Sequence, residues 1–356
     1  MECIELSLQD GQSYPICIER GLLNNCGAWL SERFSPCKIM LVTDENVAPL
    51  YMGTVKDSLI SAGFTVQAHI VAAGEPSKSI GVLGGLLEAM ADARLTRTDL
   101  AVSLGGGIVG DLTGFAAGCY LRGIRFVQMP TTLLAAVDAS VGGKTAVNLP
   151  QGKNLAGLFH QPSAVLCDPD AMKTLTDICI ADGAAEAIKT GILGDTSLFE
   201  IYESKEPSEH LTEIIAKSVA YKSKIVMEDP TEKSVRKLLN LGHTVGHAIE
   251  IASRFDISHG HAVAIGTAVM TRAAKKRGII KNCDAERILQ TLVRNHLPID
   301  CPYSAKQLAD IAQTDKKSEN TSITVIIPEQ IGKCRMEKIE LSALEALISD
   351  GMEGQE

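Results

Sequence analysis

Five short apolar runs punctuate the first half of the chain: Lys38–Val42, Val66–Val71, Leu100–Leu104, Phe126–Met129 and Ala164–Cys167. Helix-like stretches lie between them, at Val47–Ala62, Ser79–Ala93 and Val109–Tyr120. Strands that alternate with helices predict a parallel sheet covered on both faces. Ahead of them, Cys3–Leu8 and Tyr14–Glu19 flank an Asp-Gly turn and read as a β-hairpin attached to that sheet. After about Leu175 the texture changes to long helical patterns: Gly183–Leu193, Leu211–Val226, Arg236–Ser253, His261–Arg277 and Asp284–Val293. An apolar run, Ser322–Ile327, and a short helix, Ala343–Ser349, close the chain. The expectation is an α/β N-terminal domain with a Rossmann-like parallel sheet (residues 1–175) and a mainly α-helical C-terminal domain (residues 176–356), with the active site in the cleft between them.

Composition narrows the class. Hydrophobic residues make up 45% and charged residues 22% of 356, a globular mix that excludes a disordered chain. A net charge of −9 opposes a broad nucleic-acid surface but leaves room for a local basic pocket. No apolar run approaches the roughly 20 residues of a membrane span. The opening MECIELSLQDGQ does not read as a signal peptide, so cytoplasmic residence is expected. None of the ten cysteines forms a CxxC pair, so free, buried thiols are expected rather than a zinc ribbon or a redox motif.

Leu100–Leu104 runs into Gly105-Gly106-Gly107-Ile108-Val109-Gly110-Asp111, a G-x-G-x-x-G between a strand and a helix. Glycines there let backbone approach a pyrophosphate, whose charge a helix N-terminus favours. The acid of a standard dinucleotide fingerprint, about 20 residues on, is absent from Phe126-Val127-Gln128-Met129-Pro130. Asp44 could serve a ribose diol instead, and Gly74-Glu75-Pro76-Ser77-Lys78 could line the same sheet edge.

Four of the eight histidines fall within residues 243–261. His243 and His247 stand at i,i+4 and share one helical face, with Arg236 and Asn240 extending the stripe on the same helix. A buried polar stripe must be satisfied, either by hydrogen bonds in a core or by a metal and an anionic ligand. His259 and His261 follow, and Glu186, among small apolar neighbours, is a carboxylate candidate. Two His and one Glu would leave an open zinc position. Arg122, Lys144, Lys153, Lys222, Arg236 and Lys316-Lys317 are cations in tight, small-residue contexts; converging, they would make a phosphate and carboxylate site. Thr131-Thr132 and Asp138 add hydroxyls and an acid.

Taken together the chain resembles the 3-dehydroquinate synthase family of sugar-phosphate cyclases over nearly its whole length. The resemblance is carried by the glycine turn, Arg122-Gly123-Ile124-Arg125-Phe126, Pro130-Thr131-Thr132-Leu133-Leu134, Asp138-Ala139-Ser140-Val141-Gly142-Gly143-Lys144-Thr145, Gly152-Lys153-Asn154, Ala185-Glu186-Ala187-Ile188-Lys189, Asn240 through Glu250, and Asp315-Lys316-Lys317. It implies NAD, a divalent metal (zinc or cobalt), a phosphorylated heptulosonate substrate and a homodimer. The implied metal ligands are Glu186, His243 and His259. The implied NAD shell is Asp44, Glu75, Lys78, Gly106, Gly107, Asp111, Thr131, Thr132, Asp138, Lys144, Lys153 and Thr174. The implied substrate shell is Lys144, Asn154, Lys189, Lys222, Arg236, Asn240 and His247, with one or both of Lys316 and Lys317, and Arg122 at the phosphate of the partner subunit's site. Of these, His247, Lys144, Lys189, Arg236 and Asn240 are the implied catalytic set. Two departures stand out: the family's His-Gly-Glu reads His259-Gly260-His261, and its Leu-Pro-x-Arg-Glu-Phe reads Leu175-Thr176-Asp177-Ile178-Cys179-Ile180. Another sugar-phosphate cyclase, or a polyol dehydrogenase using NAD and a metal, is the rival enzyme reading, and a catalytically silent NAD-binding or assembly protein is the rival of another class.

Overall fold

The computed structural model describes residues 1–315 and 321–353. The chain divides into two compact units, Met1–Leu175 with Lys222–Met227, and Thr176–Tyr221 with Glu228–Glu356.

The first unit is built on a seven-stranded sheet. Its strands are β1 (Glu2–Ser7), β2 (Ser13–Ile18), β3 (Lys38–Asp44), β4 (Thr65–Val71), β5 (Leu100–Gly105), β6 (Arg125–Pro130) and, later in the chain, β9 (Ala164–Cys167). Their order is β1-β2-β9-β6-β5-β3-β4, parallel throughout except for the antiparallel β1–β2 hairpin. The five apolar runs are therefore the parallel strands β9, β6, β5, β3 and β4, with β4 at the edge of the sheet. All six residues of β5 are buried, which is why its sequence is continuously apolar rather than alternating. One core packs Trp29, Leu41, Val102 and Leu166 on one face of the sheet. The other packs Met40, Val42, Leu86, Leu112 and Phe126 on the opposite face. The helices are α1 (Cys26–Ser31), α2 (Gly53–Ser61), α3 (Ile80–Asp92) and α4 (Gly107–Cys119). A separate hairpin, β7 (Lys144–Leu149) with β8 (Gly152–Phe159), was not legible in the apolar pattern.

One expectation fails here. Cys3 and Cys17 are joined in a disulfide rather than free. They stand directly opposite one another in the β1–β2 register, with Cα atoms 4.2 Å apart, a juxtaposition created by hairpin pairing across 14 residues. Among the others, Cys26 and Cys167 are buried free thiols, pushed up to about 11 and about 12 by desolvation, while Cys119 and Cys283 are exposed.

The second unit holds α5 (Asp177–Leu193), α6 (Thr196–Ser204), part of α7 (Leu211–Glu228), α8 (His243–Ala252), α9 (His259–Lys276), α10 (Asn282–Arg294), α11 (Ala305–Asp315) and α12 (Leu344–Met352). An antiparallel hairpin, β10 (Ser322–Gln330) with β11 (Lys333–Glu340), accompanies them. Every residue of α5 from Gly183 to Leu193 is buried, Glu186, Lys189 and Thr190 among them. Glycines bring α8 and α9 into close approach. A Cβ on Gly266 would lie 2.0 Å from the Gly242 carbonyl oxygen, and one on Gly246 would lie 3.1 Å from the Ala262 carbonyl oxygen.

The predicted single helix Arg236–Ser253 is in fact two elements. Val235–Asn240 forms a short 3₁₀ turn, and α8 begins only at His243. Gly242 sits at φ 78°, a left-handed conformation that ends one element and starts the next. The i,i+4 stripe therefore holds for His243 and His247 but not for Arg236 and Asn240, which lie on the preceding turn.

Backbone meets backbone at Gly266, so its surroundings have no side chain to give way. Gly266→Ala is expected to destabilise the protein by about 1–3 kcal/mol or more, read as a shift of the urea unfolding midpoint at unchanged slope.

Candidate active site

The first unit gathers part of the predicted set around the carboxyl ends of its strands. The sheet order reverses between β3 and β5, since β4 lies beside β3 and β6 beside β5. At such a switch point the crevice beyond the strand ends is free for a ligand. Asp44 ends β3 there, its Oδ1 accepting the backbone N–H groups of Asn46 and Val47 at 2.9 and 3.0 Å. Gly106 and Gly107 follow β5 and open α4, and a Cβ on Gly106 would lie 3.1 Å from Thr132 Cγ2. Thr131 donates its backbone N–H to the Gly105 carbonyl at 3.0 Å.

Lys78 is a hub of this region. Its Nζ donates to Asp111 Oδ2 at 2.6 Å and to Asn154 Oδ1 at 2.5 Å. Burial raises the Asp111 pKa, and the Lys78 ammonium opposes that rise. Glu75 Oε1 lies 3.8 Å from Lys153 Nζ and accepts from Asn148 Nδ2 at 2.7 Å. Lys222 Nζ pairs with Asp138 Oδ1 at 2.8 Å and also reaches the Asp138 carbonyl. Glu75, Lys78, Asp111, Lys153 and Asn154 are thus brought together, and Lys222 with Asp138. Thr174 is spent locally, its hydroxyl 2.7 Å from the Tyr51 hydroxyl. Arg122 is exposed at φ 67° in the turn after α4, and Lys144 is exposed at the start of β7. Asn148, which partners Glu75, was not anticipated.

The second unit brings Glu186, Lys189, His243, His247 and His259 together. Glu186 is 1% exposed and its carboxylate is in an ion pair with Lys189, three residues ahead on α5. Its Oε1 lies 3.7 Å from His243 Nε2 and 3.6 Å from His259 Nε2. Bonds of about 2.0–2.1 Å in a tetrahedral zinc centre put ligand atoms roughly 3.4 Å apart, so this spacing needs little adjustment. The outer ring nitrogens are held as well. His243 Nδ1 is 3.1 Å from the Leu241 carbonyl and His259 Nδ1 is 3.2 Å from Glu250 Oε2. Such outer partners turn Nε2 inward and fix the tautomer a metal requires. The residues therefore fit a divalent ion with three protein ligands. His247, Glu250 and His259 also lie close enough to hold an ion, but that set would compete with the His259–Glu250 hydrogen bond.

Charge balance follows the same geometry. Burial would raise the Glu186 pKa, but Lys189 first, then His243 and His259, hold it well below the carboxylate range. Burial, reinforced by Lys189, pushes His243 well below the ordinary imidazole value, against the pull of Glu186. Burial also disfavours charge on His259, yet the facing Glu186 carboxylate and the hydrogen bond that His259 donates to Glu250 outweigh it and raise that pKa to about 10. His247 is exposed one turn beyond His243, the ring centroids 5.3 Å apart.

Of the His259-Gly260-His261 pair, only His259 faces Glu186; the His261 ring turns to Asp182. Arg236 is 1% exposed and its Nη1 donates to the Pro230 carbonyl at 2.6 Å. Asp229 accepts the backbone N–H groups of Lys233, Ser234 and Arg236, which overcome burial and hold its pKa at about 2. Asn240 Nδ2 donates to Glu232 Oε1 at 2.7 Å, and Glu232 itself sits at φ 60°. Lys316 and Lys317 lie outside the described residues. Glu250 and Glu232, which hold His259 and Asn240, were not anticipated. Glu250 was discoverable, since His243, His247 and Glu250 follow the i, i+4, i+7 rule for one helical face; Glu232 offered no such signal.

The architecture matches that of sugar-phosphate cyclases. A 2-deoxy-scyllo-inosose synthase, solved with carbaglucose-6-phosphate, NAD+ and Co2+, superposes with a TM-score of 0.88 at 22% identity, covering 98% of this chain and 99% of that one. ValA, the 2-epi-5-epi-valiolone synthase of Streptomyces hygroscopicus with NAD+ and Zn2+ bound, also gives 0.88, at 25% identity and the same coverage. Glycerol dehydrogenase from Schizosaccharomyces pombe shares the fold at a TM-score of 0.66 and 14% identity, covering 95% of this chain and 88% of that one. Residues 68–181 match the model of the 3-dehydroquinate synthase N-terminal region, and residues 183–318 that of its C-terminal region. The 3-dehydroquinate synthase of Clostridium kluyveri is 39% identical over 347 residues, 96% of each chain. That of Streptococcus gordonii is 40% identical over 342 residues, 94% of this chain and 96% of its own. This chain belongs to the 3-dehydroquinate synthase family.

Glu186→Gln, His243→Ala and His259→Ala are each expected to purify without bound metal, because three ligands leave no redundancy; metal content by plasma mass spectrometry checks this, and full occupancy in any one removes it from the set. A second expectation concerns protons. In the metal-free protein the His259 pKa of about 10 lies above the ordinary 6.5, so its stabilising charge is complete below about pH 6.5 and is lost as pH rises through about 10. Zinc uptake at neutral pH should therefore release a proton, seen by calorimetry in buffers of different ionisation enthalpy.

Proposed function

We propose that this chain is a 3-dehydroquinate synthase, a carbon–oxygen lyase that converts 3-deoxy-D-arabino-heptulosonate 7-phosphate to 3-dehydroquinate and phosphate. The observation that carries the reading is the convergence of His243 Nε2 and His259 Nε2 on buried Glu186, beside Lys189 and exposed His247, in a chain about 39% identical over its length to relatives of that name. When bound, NAD supplies reversible hydride transfer and a zinc or cobalt ion supplies Lewis-acid polarisation of a substrate oxygen.

The chain's own residues do the rest. Glu186, His243 and His259 would hold the ion, with Glu250 fixing the His259 ring. Asp44, Gly106, Gly107, Thr131, Thr132 and the Glu75–Lys78–Asp111–Lys153 network would receive the nucleotide, with its pyrophosphate at the start of α4. Lys144, Asn154, Lys189, Lys222, Arg236 and Asn240 would bind the substrate's phosphate, carboxylate and hydroxyls, where each charge-assisted bond is worth about 1.5–3 kcal/mol. Arg122 would serve the phosphate at the site of the partner subunit in a homodimer. His247, exposed yet adjacent to His243, is suited to move a proton on and off the reacting carbon skeleton. No described helix is long and apolar enough to cross a membrane, and a cytoplasmic site of action goes with this reading.

A dehydrogenase shares the fold, so the decisive test is oxidation level. A deuterium placed at C5 of the heptulosonate phosphate is expected to remain in the product, with phosphate released and no NADH accumulating. Stoichiometric NADH with each phosphate, or deuterium in free NADH, would replace the lyase reading by the dehydrogenase one.

A further inference from the structure

Helix α9, which begins with His259, has no cap from its own sequence. Ser258 occupies the N-cap position, yet its side chain caps no backbone N–H. Its hydroxyl donates instead to Asp182 Oδ1, 2.5 Å away on α5. That same oxygen accepts the backbone N–H of His261 at 3.1 Å. His261 is the third residue of α9, whose N–H an N-cap side chain ordinarily satisfies. The His261 ring closes the arrangement: Nδ1 lies 2.8 Å from Asp182 Oδ1 and 2.9 Å from Ser258 Oγ. Below it, Gly260 rests on the backbone of α5, where a Cβ would lie 2.3 Å from Asp182 Cα.

We propose that Asp182 caps α9 from a neighbouring helix and thereby sets the distance between Glu186 and His259. Asp182 precedes Glu186 by one turn of α5, and the groups it binds, Ser258 and His261, flank His259 on either side. One carboxylate thus ties together the two helices that carry two of the three metal ligands. Its charge also complements the positive end of α9. Asp182 is a positioning residue, and His261 locks its rotamer. The device rests on the metal assignment made above.

The test uses the full-length protein stripped of metal, with zinc affinity measured by competition with a chromogenic chelator and the zinc-free melting temperature recorded alongside. Asp182→Ala is expected to weaken zinc binding by about 10-fold, the lower end of the loss that follows removal of a group bonded directly to a metal ligand, because Asp182 acts one contact further out. Asp182→Asn, which keeps the shape and one acceptor oxygen, should lose less. His261→Glu should lose at least as much as Asp182→Ala, because it sets a second carboxylate against the first. Val269→Ala, a fully buried position on α9 ten residues beyond His259, supplies the control. It should lower the melting temperature and leave zinc affinity unchanged.

Wild-type zinc affinity in Asp182→Ala overturns the proposal. So does an equal loss of affinity in Val269→Ala at a matched drop in melting temperature. Should Asp182→Ala not fold, Asp182→Asn and Ser258→Ala decide: a partial loss in both supports the clamp, and unchanged affinity in both refutes it. His243→Ala leaves the clamp intact, so zinc retained in that variant would refute the metal site itself rather than the role of Asp182.

Discussion

The buried carboxylate of Glu186 is the constraint on which the second unit depends. A lone charge at 1% exposure would be prohibitively costly. It persists because Lys189 reaches it from the same helix and two imidazole Nε2 atoms face it from α8 and α9. Those partners are useful only if the helices stay in register, so the demands of one charge extend to three helices. The same geometry serves an ion: the two histidines that face Glu186 without metal are those that would share an ion with it.

Register is enforced by contacts that admit no side chain. Gly266 lies against the Gly242 carbonyl, Gly246 against Ala262 and Gly260 against Asp182. Ridges of ordinary side chains would separate these helices to the usual 8–10 Å, and the imidazoles would no longer converge. Polar contacts then fix the rings, through the Leu241 carbonyl for His243 and Glu250 for His259. Packing sets the distance and hydrogen bonding sets the direction; neither alone makes a ligand set.

The first unit solves a different problem. Its central strands are buried and largely apolar, so the charged side chains collect past the strand ends. The reversal of strand order between β3 and β5 leaves the glycine turn and Asp44 at that edge. Lys78 links the start of α4 to the β7–β8 hairpin through Asp111 and Asn154, so the hairpin, a separate two-stranded sheet, contributes to the same polar network.

The sequence by itself determined the alternation of strands and helices, because burial on both faces leaves a contiguous apolar run that survives in any context. It also determined the glycine turn after β5 and the pairing of His243 with His247, since both are local and follow from backbone conformation or the helical repeat. The i,i+4 rule failed at Arg236 and Asn240 because Gly242, at φ 78°, breaks the helix, and a glycine in sequence does not disclose its φ. The Cys3–Cys17 disulfide escaped notice because hairpin register, not spacing, brought the thiols together. Glu232 on Asn240, and Asp182 on Ser258 and His261, were decided only by the tertiary structure. Each joins groups whose proximity comes from a turn or from helix packing, and an isolated acid in a sequence carries no mark of what it will meet.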